Sequence, residues 1–235
     1  MKITSPLNES CCLPLLAKEA DEFYVRIVEK EPEACRIPPL YNTRGGRSGP
    51  ANFRDWKSLE KAVKEASVWN RPIYLTMNAH NIDPDRENVW KRILDRFVQI
   101  GGTGVISANL DCLRYGKEIG LKCSVSTIMG LYNVEAIRWI VQEIRPERIV
   151  LSRDLTLEEI KEIRRETGVA LEVFGMNFGC RYSNAFCFGS HNHATKGFCH
   201  AVGQMEWEYR NRNGEPMSGD FLLKADFNHW LYTNA

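Results

Sequence analysis

The chain has 235 residues, 43% of them hydrophobic, which is enough for one sizeable core. Lys and Arg total 31 against 30 Asp and Glu, a formal net charge of +1, so the global basic bias that marks many nucleic-acid binders is absent. No apolar run approaches the roughly 18–20 residues that span a bilayer, so no membrane span is expected.

Met1–Pro6 turns polar at once and lacks the apolar stretch of a signal peptide, so a cytoplasmic location is expected. The 8 cysteines then read as reduced thiols, and a cluster of them as a metal site rather than a disulfide framework.

In chain order, candidate strands fall at Ile3–Leu7, Glu22–Ile27, Ile73–Asn78, Gly104–Ala108, Lys122–Thr127, Arg148–Leu151, Ala170–Phe174 and Phe221–Phe227. Several are nearly continuous in apolarity, as strands covered on both faces are. Helical patterns lie between them. In 86–100, Val89, Ile93, Phe97 and Ile100 recur at spacings of 4, 4 and 3. In 133–144, Ile137, Ile140, Val141 and Ile144 form one stripe. Thr156 followed by Glu159 spells a capping box, and Gly101-Gly102, Gly120 and Gly168 mark helix stops. Eight strands alternating with helices predict an α/β fold, a (β/α)8-type TIM barrel over a single domain, 1–235. The sequence after Phe227 is too short for a closing helix, so the barrel is expected to be incomplete at its C-terminal end. An open doubly wound sheet fits less well, because no GxGxxG follows the first strand.

Two connections exceed the usual length, at about 28–54 and 175–219. Both follow strands, and loops after strands form the catalytic face of a barrel. The second holds Cys180, Cys187 and Cys199, at spacings of 7 and 12, with His191, His193 and His200. Thiolates bind soft or borderline metals, and four are usual for zinc or an iron–sulfur cluster. The competing account is three unrelated buried cysteines. The fourth ligand stays open among His229, Cys35, Cys112 and a histidine of the loop. Cys11 and Cys12 read as packing residues, and Cys123 as core.

The first insertion carries Tyr41 to Phe53, with Arg44, Arg47 and three glycines, a composition suited to an anion or a flexible solvated loop. Asn78 and His80 close the third strand, Ser152, Arg153 and Asp154 the sixth, and Glu172 lies within the seventh. Polar groups at the carboxyl ends of barrel strands read as site residues. Arg153 and Asp154 also fit a helix entry with its own salt bridge. Glu172 needs a cation or donors, so it either pairs with an arginine across the barrel or handles protons.

The run Glu172-Val-Phe-Gly-Met-Asn-Phe-Gly-Cys180 followed by Cys187 resembles the signature of the U32 peptidase family. Tyr41–Phe53, Ile73–Asn78 and Arg148–Ile160 are similar to other segments of that family, so the likeness runs through most of the chain. The resemblance implies a collagenase-like peptidase or a member that binds a 4Fe–4S cluster. The latter support oxygen-independent hydroxylation of an RNA base or a ubiquinone precursor. It implies Cys180, Cys187 and Cys199 as cluster ligands. His229 stands near where the family has its last cysteine. Zinc is the alternative metal, and a non-catalytic binding module the alternative role. Within that picture Glu172, Arg44 and Asn78 are the candidate catalytic residues. Arg44, Arg47, His80 and Arg153 are the candidate substrate-binding residues. The expected partners are a small carboxylate, an RNA or quinone-precursor substrate, and a further protein.

Overall fold

The structure is a computed structural model that describes residues 1–27, 52–53, 55–78 and 87–175. The expected strand Phe221–Phe227, the cysteine-rich insertion and most of the first insertion lie outside the described residues.

Strands β1 (Thr4–Pro6), β2 (Glu22–Ile27), β4 (Ile73–Met77), β5 (Gly104–Ser107), β6 (Lys122–Val125), β7 (Arg148–Val150) and β8 (Ala170–Glu172) pair in the order β1-β2-β4-β5-β6-β7-β8. Every pairing in that path is parallel. A further strand, β3 (Asn52–Phe53), pairs with β2 inside what the sequence had suggested was a plain insertion. Its two residues are too few to show a period, but Phe53 is buried. The helices that return the chain are α1 (Leu13–Leu16), α2 (Trp56–Val68), α3 (Glu87–Gln99), α4 (Leu110–Glu118), α5 (Val134–Ile144) and α6 (Leu157–Thr167). The result is TIM-barrel-like: parallel strands curled about an interior, with helices outside. Among the described residues no helix is long and apolar enough to cross a membrane.

Four of the described helices are placed by a start signal and an apolar stripe. Asp55 accepts a hydrogen bond from the Ser58 amide and opens α2, which buries Trp56, Leu59, Ala62, Val63 and Ala66 on one face. Asn109 and Asn133 cap α4 and α5 in the same way. Thr156 and Glu159 form the expected reciprocal capping box of α6, and Gly168 ends that helix at φ 66° with its amide on the Arg164 carbonyl. Replacing Thr156 with alanine removes that cap. It is expected to cost about 1 kcal/mol, read as a lower urea midpoint at unchanged slope.

Strand alternation then sorts the side chains. Phe23, Val25, Ile73, Leu75, Met77, Val105, Cys123, Val125 and Ile149 point outward and join the helices in the main core. Tyr24, Tyr74, Ile106 and Val150 point inward and make a second, smaller cluster. The remaining inward positions of β2, β7 and β8 include Glu22, Arg148 and Glu172, so the interior is charged where such barrels are ordinarily filled by branched apolar side chains.

Candidate functional site

The interior charges are organised around Arg148. It is the first residue of β7, and its side chain is only 10% exposed. Its Nη2 lies 2.7 Å from Oε1 of Glu22 on β2. Its Nε lies 2.6 Å from Oε2 of Glu172 on β8. The guanidinium also stacks over the Tyr74 ring, 4.4 Å from the centroid. Three strands separate β2 from β7 along the sheet, so the Glu22–Arg148 contact spans the interior rather than joining neighbours. Glu22 also accepts a hydrogen bond from the Thr4 hydroxyl at 2.8 Å. Below this layer the Tyr74 hydroxyl donates to Oε2 of Glu147 at 2.6 Å, and Lys122 meets the other oxygen at 3.3 Å.

The electrostatics follow from burial and from this count of charges. Burial pushes the Glu172 carboxyl above its ordinary value. Arg148 opposes that and Glu22 adds to it. Burial also acts against the Arg148 cation, but the two carboxylates outweigh it and hold the guanidinium more firmly charged than usual. Glu147 is raised by burial yet ends below its ordinary value, because Tyr74 and Lys122 donate to it. Burial in turn drives the Tyr74 hydroxyl far up, with Glu147 as acceptor adding to the shift.

Of the two expectations for Glu172, the ion pair with an arginine is realised. The partner is on the adjacent strand, and the same arginine reaches across to Glu22. Neither Arg148 nor Glu22 had been singled out. The available signal was a charge opening each of two mostly apolar strands, a pattern that burial makes costly unless the charges meet.

Nearer the mouth, Asn78 is half-buried just beyond β4. Arg153, just beyond β7, stacks on the Phe174 ring that follows β8, 4.1 Å from its centroid. Asp154 accepts a hydrogen bond from Ser152 at 2.8 Å rather than capping α6, whose cap is Thr156. Arg44, Arg47, His80, Cys35, Cys180, Cys187, Cys199 and His229 lie outside the described residues. Among the described residues no three acidic, histidine or cysteine side chains come together as a metal site.

Two cysteine expectations change. Cys112 is fully buried on α4, its thiol pushed up to about 12 by burial, so it sits in the outer core rather than among the metal-ligand candidates. Cys11 and Cys12 are both exposed in a short 3-10 turn after β1, not packed. Adjacent residues on a turn with no buried member cannot reach the core. Cys123 is core as expected, donating to the Leu113 carbonyl at 3.1 Å.

Parallel strands curled about an ion-paired interior, with helices outside and long segments following strands, define a TIM-barrel-like α/β protein. Residues 9–231 match the sequence profile described as peptidase family U32, and the chain belongs to that family. It is similar to a protein of Methanocaldococcus jannaschii named "Uncharacterized protease MJ0090", at 27% identity over 223 residues, 91% of this chain and 50% of that one. The chain thus spans about half the length of this curated relative. Among solved structures it is similar to "The Structure of the U32 Peptidase Mk0906", with TM-score 0.58 at 18% identity over 93% of this chain and 85% of that one. It is also similar to a tryptophan synthase chain from M. tuberculosis, with TM-score 0.52 at 12% identity over 74% of each. At such identities these two likenesses speak for the fold alone.

Proposed function

We propose that this U32 chain holds an iron–sulfur cluster at the barrel mouth and supports oxygen-independent hydroxylation of an RNA base or of an aromatic or quinone precursor. The observation that carries the reading is the run of Cys180, Cys187 and Cys199 in the one segment that leaves the carboxyl end of β8. That donor set fits the group: thiolates suit an Fe–S cluster, and three from one segment leave a single ligand to be found. His229, Cys35 or a loop histidine would complete it. When bound, a 4Fe–4S cluster supplies one-electron redox chemistry.

The chain's own residues would bind and orient the substrate. Arg44, Arg47, His80 and Arg153 offer cationic and hydrogen-bonding groups for a carboxylate or phosphate, and Arg suits bidentate contacts. Asn78 offers an amide at the end of β4, and Glu172 a carboxyl that can hold a proton. A second protein would be the partner that delivers or consumes electrons. A cytoplasmic location would keep these thiols reduced and able to bind the cluster.

The test is anaerobic purification followed by iron, acid-labile sulfide and absorption measurements. Iron and sulfide together are expected, with most of both lost in each of C180S, C187S and C199S. A single redox-silent zinc would replace the cluster with a zinc-stabilised binding module, and absence of metal would sink both metal readings.

The names carried by the family and its relatives favour a second reading, a U32-type peptidase. Peptide cleavage that is abolished by C180S, C187S or C199S while metal content stays unchanged would establish it over the first.

A further inference from the structure

We infer that Glu22, Arg148 and Glu172 form a single-proton site inside the barrel, in which Glu172 carries the proton and Arg148 is the residue that positions it. The inference adds to the reading above and stands or falls apart from the cluster.

The geometry is two carboxylates on one guanidinium. Arg148 touches Glu22 at 2.7 Å and Glu172 at 2.6 Å, and the three side chains are 10%, 2% and 23% exposed. One cation balances one of these anions. Among the described residues the second has no cation of its own in contact, and a largely buried carboxylate without one is costly. A proton is the smallest group that removes the surplus charge, as in other carboxyl pairs that cannot both ionise.

The donors decide which carboxyl takes it. Glu22 is ion-paired with Arg148 and also accepts a hydrogen bond from the Thr4 hydroxyl. Glu172 meets Arg148 alone among the contacts described. Fewer donors favour the neutral acid, so the proton sits on Glu172.

The surrounding groups point the same way. Glu147, in front of Arg148 on β7, lies 3.9 Å from Nη1 and is itself occupied by Tyr74 and Lys122. Tyr74 on β4 offers Arg148 its ring face and spends its hydroxyl on Glu147. Arg26 shares the inward side of β2 with Glu22 by strand alternation and is already engaged. Lys122 on β6 is over half exposed and pairs with Glu147.

Glu172 is also the last residue of β8, directly before the segment that carries Cys180.

Carbon-detected NMR titration of the glutamate carboxyls in the full chain tests this. One resonance, missing in E172Q, is expected to titrate above the ordinary carboxylate range. In E22Q its proton affinity should fall by about tenfold, because the competing anion is gone. Arg148→Lys keeps the charge but not the fork. It should move the same resonance and leave iron content alone.

The second readout is stability against pH. A raised folded-state value gives stability that is lost as pH climbs from the ordinary carboxylate value through the raised one, and this slope should vanish in E172Q. A Glu172 resonance at or below the ordinary range, or one unmoved by E22Q in a folded protein, overturns the inference. Loss of iron in E172Q or R148K with the titration as expected would instead make the site part of the cluster's support.

Discussion

Replacing Phe97 with alanine is expected to cost about 3–5 kcal/mol, among the largest effects of apolar truncation in the outer core. Phe97 is fully buried on α3. Its ring lies against Gly102, where an added Cβ would come within 2.3 Å of the ring edge. The two positions are a matched pair: a large ring seated on a residue with no side chain. Deleting the ring leaves a cavity that Gly102 has no atoms to fill. The turn is also held by the Gly102 amide on the Phe97 carbonyl at 2.8 Å, so backbone collapse into the gap is opposed. Thermal unfolding should fall by roughly 6–20 °C for a chain of this size. A fall of only a degree or two would mean that α3 does not anchor this side of the barrel.

That helix was legible in the sequence because its stripe repeats with the helical period. Ile93 and Phe97 lie on the expected face and are buried, with Trp90 and Leu94 widening the contact and Val89 and Ile100 at its margin. The cap at Thr156 was equally legible, since it is a local code read within four residues. The parallel strands were readable from apolar runs, and the family from Glu172 to Cys187.

The interior was not. Glu22, Arg148 and Glu172 are far apart in sequence, and their meeting depends on register and on how far the sheet curls. No local period encodes either. Glu172 could be marked as a charge in need of a partner, but two candidate strands had to be closed around it before Arg148 became that partner. β3 escaped for a simpler reason: two residues carry no alternation. Cys11 and Cys12, expected as packing residues, are both exposed, because the short turn after β1 buries none of its residues.

Arg148→Met is the sharpest test of what holds the interior together. Methionine keeps much of the stem and its packing on Tyr74 but removes the cation, leaving Glu22 and Glu172 facing a buried space without their shared partner. Breaking a buried pair from one side typically costs about 3–5 kcal/mol, because the remaining charge is stranded. Here the Glu22 carboxylate is stranded while Glu172 keeps its proton, and the cost should grow as pH rises and Glu172 ionises as well. Acidification should recover part of it, by protonating them. The neutral triple variant E22Q/R148M/E172Q should regain much of the loss, since it removes charge from all three positions at once. Single-variant penalties should therefore be strongly non-additive. If instead R148M unfolds within about 1 kcal/mol of the parent at neutral pH, a median surface ion pair would account for it. The charged interior would then contribute nothing special to closing the barrel, and β2 and β8 would be held by their strand pairing alone.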